Sequence, residues 1–227
     1  MIHRGLRNPQ ELAFDDYGNL FTGDNNSDSG DKARMVYVVE GGDTGWRMHY
    51  QYLPDRGPFN REKIWHPAGG PAYVLPPIDN FADGPSGFAF YPGTGFSDHM
   101  KGRFLLCDFR GQTSGSGIKT FRLKPKGAFF EIADEENTFW NILATDCCFG
   151  PDGRLYVSDW VHGWNGLGKG RIYAFEDQNA NETDTGALLA AKWAEYSMPR
   201  LKELLGHEDR RVRMDAQFEL VHRGGDR

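Results

Sequence analysis

The sequence predicts a mainly β fold, part of a six-bladed-type β-propeller, followed by a short α-helical segment. Three observations predict it. A phrase running from glycine through an apolar stretch to aspartate occurs three times, as Gly18–Asp24, Gly102–Asp108 and Gly153–Asp159. An Ala-Phe or Cys-Phe pair precedes each copy (Ala13-Phe14, Ala89-Phe90, Cys148-Phe149), and another apolar run follows it, in Met35–Val39, Ile118–Phe121 and Arg171–Phe175. After Phe175 the apolar positions change to helical spacing. Strand, tight turn, strand, loop, strand, repeated with variable insertions, is the pattern of propeller blades.

Taken in order, the first strand is expected at Pro9–Phe14, a turn at Asp15–Gly18, the second strand at Leu20–Thr22 and the third at Met35–Val39. Residues 46–80 are rich in proline and aromatics and lack alternation, so a long irregular excursion is expected there. The second unit runs from Pro85 to Leu123 and the third from Asp146 to Phe175, with Phe129–Ile132 as an edge strand between them. Residues 1–178 are thus expected to form a partial propeller, 179–198 a linker, and 199–227 a helical pair. In that pair Asp209 is a candidate N-cap and Gly224 a stop. The spacing Leu201-x-x-Leu204-Leu205-x-His207-x-Asp209-x-x-Val212-Arg213-x-x-Ala216 resembles one HEAT repeat. One helical pair cannot bury its own apolar face, and three or four blades fall short of the roughly six of a closed ring. The expectation is a fragment cut at both ends, whose partners include the missing blades and further HEAT repeats.

Bulk properties narrow the function classes. The formal net charge is -6 in 227 residues and the basic residues are dispersed, so nucleic acid is not expected as a partner. No apolar run reaches membrane-spanning length, and Met1–Arg7 is not expected to be a signal peptide, having no apolar region of that kind. The three cysteines have no haem or zinc spacing, and strand alternation sends Cys147 and Cys148 to opposite faces, where they are expected to pack as small hydrophobes.

Three groups of residues could carry chemistry. Asp24, Asn26 and Asp28 alternate oxygen donors in one loop that also holds Asp31, as a calcium site or a turn with side-chain caps would. Gly30 and Met35 do not fit an EF-hand. Arg7 and Asn8, ahead of the first strand, offer a fork for a carboxylate and a paired donor and acceptor; a surface turn is the other reading. Asp159, Trp160, His162 and Trp164 place a carboxylate, an imidazole and two aromatic platforms in one loop, as a sugar or small-molecule site could use; aromatic packing beneath a glycine-rich loop stands beside it.

The stretch Arg7-Asn-Pro-Gln-Glu-Leu-Ala-Phe14, with Gly18-Asn-Leu20, Asn26-Ser27, Asp31 and Gly41-Gly-Asp-Thr-Gly-Trp46, resembles the glucose/sorbosone dehydrogenases. Phe109-Arg-Gly111 and Gly150–Val157 fit later blades of that family, which binds pyrroloquinoline quinone and calcium. With the HEAT-like segment, the whole is similar to the large membrane-bound dehydrogenases of planctomycete-type bacteria. The resemblance implies that Arg7, Asn8 and Arg110 contact the quinone, with Arg110 where the family has lysine. It implies that the Asp24–Asp31 loop approximates the calcium loop, although Asn26-Ser27 replaces the family's Gly-Pro step. A sugar or polyol is the implied substrate, a haem c domain of the parent the implied electron acceptor, and the periplasm or cell envelope the implied location. Two departures count against turnover by this chain alone. Leu143-Ala-Thr145 replaces an Arg-x-Arg that clamps the cofactor's acids, and the catalytic histidine belongs to a blade this chain lacks. A non-catalytic glycan- or protein-binding propeller and a calcium-dependent, lactonase-like propeller hydrolase are the alternative readings.

Overall fold

The computed structural model describes residues 1–26, 32–45, 74–165, 168–181 and 183–224. The chain is mainly β, with short helices at its C-terminal end. Strand β1 (His3–Arg4) pairs in parallel with β5 (Gly42–Asp43). The first repeat forms an antiparallel sheet of β2 (Pro9–Phe14), β3 (Leu20–Asp24), β4 (Arg34–Tyr37) and β6 (Asp79–Asn80), in that order. The second forms a sheet of β7 (Pro85–Phe90), β8 (Phe104–Asp108), β9 (Gly117–Lys126) and β10 (Phe129–Trp140). The third is the three-stranded sheet of β11 (Ala144–Phe149), β12 (Leu155–Asp159) and β13 (Arg171–Phe175). Of the expected excursion, residues 46–73 lie outside the described residues; β6 follows them as the fourth strand of the first sheet.

The recurring phrase has a local cause at each end. Its glycines, Gly18, Gly102 and Gly153, have φ of +81°, +72° and +80°. That left-handed conformation strains a residue with a side chain and suits glycine, so glycine turns the chain into the middle strand. Its aspartates each terminate that middle strand, at the last residue of β3, β8 and β12.

β10 is longer than the four residues expected of it. Its acidic run lacks apolar alternation, but across the ladder Lys119 pairs with Glu135, Arg122 and Lys124 with Asp134, and Lys126 with Glu131. Opposite charges on facing strands hold a ribbon that hydropathy alone does not reveal. Buried Arg103 also donates to Glu136 Oε1 at 2.7 Å and to the Asp134 carbonyl at 2.6 Å.

Two compact units make up the chain. One comprises Met1–Phe90, Arg103–Cys147 and Val157–Ile172; the other comprises Tyr91–Gly102, Cys148–Tyr156 and Tyr173–Arg227. In the first, Phe21, Phe88, Phe104 and Phe121 form an aromatic core with Met35 and Leu106. Phe21 meets Phe104 edge-on at 5.3 Å, and Phe88 stacks on Phe104 at 5.3 Å. Removing one such ring would cost about 3–5 kcal/mol. In the second, α1 (Thr185–Leu189), α2 (Met198–Leu204) and α3 (Arg210–Gly224) bury Leu188, Leu204, Val212 and Ala216 together. Ser197 caps α2 by accepting from Arg200 N, and Asp209 caps α3 by accepting from Arg211 N at 2.9 Å. Among the described residues no helix is long and apolar enough to cross a membrane.

Candidate ligand-binding site

The three terminal aspartates perform one task. Asp24 Oδ1 accepts from Arg7 N at 2.9 Å and Asn8 N at 2.8 Å. Asp108 Oδ1 accepts from Asp83 N at 2.9 Å and Gly84 N at 3.0 Å. Asp159 Oδ1 accepts from Leu143 N at 3.1 Å and Val161 N at 3.0 Å. In each repeat the carboxylate ties the segment entering the first strand to the end of the second. Each also meets an arginine: Asp24 with Arg34, Asp108 with Arg110 at 2.7 Å, and Asp159 with Arg171 at 2.8 Å. Buried carboxylates require such partners.

These ties shape one wall of a cavity of about 840 Å³ in the first unit. Its lining repeats with the blades. Gln10, Ser86 and Thr145 each stand three residues before the first residue of the Ala-Phe or Cys-Phe pair, at Ala13, Ala89 and Cys148, and Asn25, Phe109 and Trp160 each follow a terminal aspartate. Asn8, Asn26, Asp83, Arg110 and Trp164 add to them. Phe109 meets Trp164 edge-on at 5.1 Å, and Trp160 lies 6.2 Å from Trp164, giving an aromatic wall. Gly111 permits it, because a side chain there would meet the Trp164 indole nitrogen at 2.4 Å. Opposite in character are the amides: Gln10 Nε2 donates to Asn8 Oδ1 at 2.8 Å, and Asn25 N donates to the Asn8 carbonyl at 3.3 Å.

The structure brings some of the sequence-predicted residues together and separates others. Asn8, Asn26, Arg110, Trp160 and Trp164 all line the cavity. Arg110 is held by Asp108 Oδ2, through Nε at 3.0 Å and Nη2 at 2.7 Å, and by Asp83 at 3.3 Å. The bond to Asp108 pushes the guanidinium pKa up, against its partial burial. Arg7, Asp159 and His162 are not among the lining residues. The Arg7 backbone serves Asp24, Asp159 is buried against its own loop, and exposed His162 donates its backbone N–H to the Trp160 carbonyl at 3.0 Å. Asp24 does not fit a calcium donor, because Arg34 and two N–H groups already occupy its oxygens. Asp28 and Asp31 lie outside the described residues. Among the described residues no three His, Cys, Asp or Glu side chains cluster as a metal would need.

Sequence reasoning missed Gln10, Asn25, Ser86, Phe109 and Thr145. The signal was present, since these residues occupy equivalent positions of the repeats. It also missed Glu11, at the position equivalent to Gly87 and Asp146. Glu11 Oε2 accepts from Phe88 N at 2.6 Å, and a side chain at Gly87 would meet Asp146 Oδ1 at 2.8 Å. Two acids from flanking repeats therefore converge across the glycine of the middle one. Burial, with Asp146 beside it, pushes the Glu11 pKa up to about 7, although the Phe88 N–H bond opposes the rise.

No protein-family model and no curated protein matches the chain. Solved structures do. A glucose dehydrogenase-type oxidoreductase from Thermus thermophilus aligns over 77% of this chain and 46% of its own, with a TM-score of 0.54 and 21% identity. The pyrroloquinoline quinone-bound aldose sugar dehydrogenase of Streptomyces coelicolor aligns over 78% and 45%, with a TM-score of 0.50 and 21% identity. The apo form of the soluble aldose sugar dehydrogenase of Escherichia coli aligns over 77% and 46%, with a TM-score of 0.52 and 18% identity. The fold is that of the sugar-dehydrogenase propellers. The chain spans under half the length of these structures.

Proposed function

We propose that this chain carries a ligand-holding face of a sugar-dehydrogenase-type propeller, and that its cavity takes an uncharged polyhydroxy compound, a sugar or polyol. The carrying observation is the lining itself, which combines Asn8, Gln10, Asn25 and Asn26 with Phe109, Trp160 and Trp164. Amides offer both donor and acceptor, as hydroxyl groups require, and aromatic faces receive the apolar side of a sugar ring. The volume suits a ligand of that size.

Pyrroloquinoline quinone, when bound, supplies a hydride acceptor. The described lining fits it poorly. The quinone's acids need cations, yet Arg110 is already held by two carboxylates, and Thr145 brings only a hydroxyl at the Leu143-Ala-Thr145 step. We therefore read the isolated chain as binding without turnover, and assign no catalytic step to it. In the parent, the remaining blades, a haem c domain and a periplasmic or envelope setting complete the dehydrogenase reading. The helical segment extends it as a HEAT-like repeat, because Leu201, Leu204, Val212 and Ala216, four positions of that motif, are buried.

Tryptophan fluorescence tests this, since two indoles wall the cavity. Titration of the full chain with aldoses and polyols is expected to give a saturable change at millimolar ligand, and the quinone is expected to give none at micromolar concentration. A flat response to every sugar and polyol would overturn the binding reading. Micromolar uptake of the quinone would overturn the misfit and restore a quinone site.

A further inference from the structure

Two of the three cysteines meet in the interior. Cys107 on β8 and Cys147 on β11 are 0% and 3% exposed. They belong to different sheets. On β8, Phe104 and Leu106 join the core around Phe21, so strand alternation turns Cys107 to the other face. β7 draws β11 against that face. The Ser86 hydroxyl lies 3.4 Å from both the Cys107 and the Ala144 carbonyl oxygens. At Gly87 a side chain would meet Asp146 Cα at 2.4 Å and Cys147 N at 2.9 Å, so only glycine lets the strands approach so closely. There Cys107 beside it, together with burial, pushes the Cys147 thiol pKa up. Cys148 is exposed on the opposite face.

We propose that Cys107 and Cys147 close into a disulfide that staples the second sheet to the third, with Cys148 outside the bridge. Sheet-to-sheet disulfides through a core are established in β-sandwiches. The oxidant is a small-molecule disulfide of the glutathione type. One cysteine thiolate attacks it and expels one small thiol; the second cysteine then displaces the other. The protein loses two hydrogens and the oxidant becomes two thiols. Exchange needs a thiolate, and a raised pKa with full burial suppresses it in the folded state. The bond therefore closes during folding, before the sheets seal.

The test is to refold the full chain in a mixed oxidised and reduced glutathione buffer, unfold it in denaturant, alkylate it there without reduction and weigh it. The expected product carries one label, on Cys148, with the unlabelled remainder lighter by two hydrogens and a peptide joining Cys107 to Cys147. Reduction is expected to lower Tm by about 10 °C, from the loop-entropy cost of opening such a bridge. Cys148→Ser should keep the bond. Three labels, or a bond that involves Cys148, would overturn the proposal.

Discussion

At the ends of the middle strands, Asp24, Asp108 and Asp159 each meet two backbone N–H groups and an arginine. On the first strands, Glu11 and Asp146 converge across Gly87. Both layers come from the same three repeats, yet one compensates its charge and the other leaves acid beside acid. Where every repeat carries aspartate, the residue serves its own blade. Where the repeats carry Glu, Gly and Asp, the residues serve the space between blades, and the middle one gives up its side chain to make room.

The largest expected effect lies in the compensated layer. Asp24→Ala takes a carboxylate from the buried Arg34 guanidinium, which keeps the Thr44 and Gly5 carbonyls, and from two N–H groups. A loss of about 3–5 kcal/mol is expected by chemical denaturation, as for other broken buried pairs. A loss under about 1 kcal/mol would mean that the aspartate ties are ornaments of the fold.

The uncompensated layer should behave in the opposite sense. Glu11 titrates near 4.5 when unfolded and at about 7 in the fold, so the native state holds its proton more tightly. The stabilisation is complete below about 4.5 and is lost as the pH rises through about 7. Because the carboxyl is partly solvated, the swing expected is about 1–2 kcal/mol. Glu11→Gln should flatten stability across that window and be the more stable protein at pH above it. An unchanged pH profile in Glu11→Gln would remove the acid-on-acid contact from the account.

Much of this was legible in the sequence. The glycine-to-aspartate phrase located the three middle strands because its glycine must turn left-handed and its aspartate must tie the blade. The capping role of Asp209 was legible for the same reason: local chemistry fixes it. What was missed depends on which strands meet. Asp159 reads as a ligand residue beside Trp160 and His162, but its carboxylate turns inward to Leu143 N and Arg171. Cys147 and Cys148 were correctly sent to opposite faces, yet nothing local says that Cys107 waits opposite Cys147. β10 was hidden because its partners across the ladder are charges rather than apolar side chains. The cavity lay in the repeat alignment itself, at Gln10, Ser86 and Thr145, which are ordinary polar residues until three blades place them together.

The most direct test of the account is hydrogen exchange of the full chain with and without a saturating aldose. Protection is expected around Asn8 and Gln10, Asn25 and Asn26, Gly84 to Ser86, Phe109 and Arg110, and Trp160 and Trp164, which line the first unit's cavity. The second unit has its own cavity of about 400 Å³, lined by Thr94, Phe96, Asp98, Asp184 and His207 among others. Protection confined to that cavity, or no protection anywhere, would contradict the assignment.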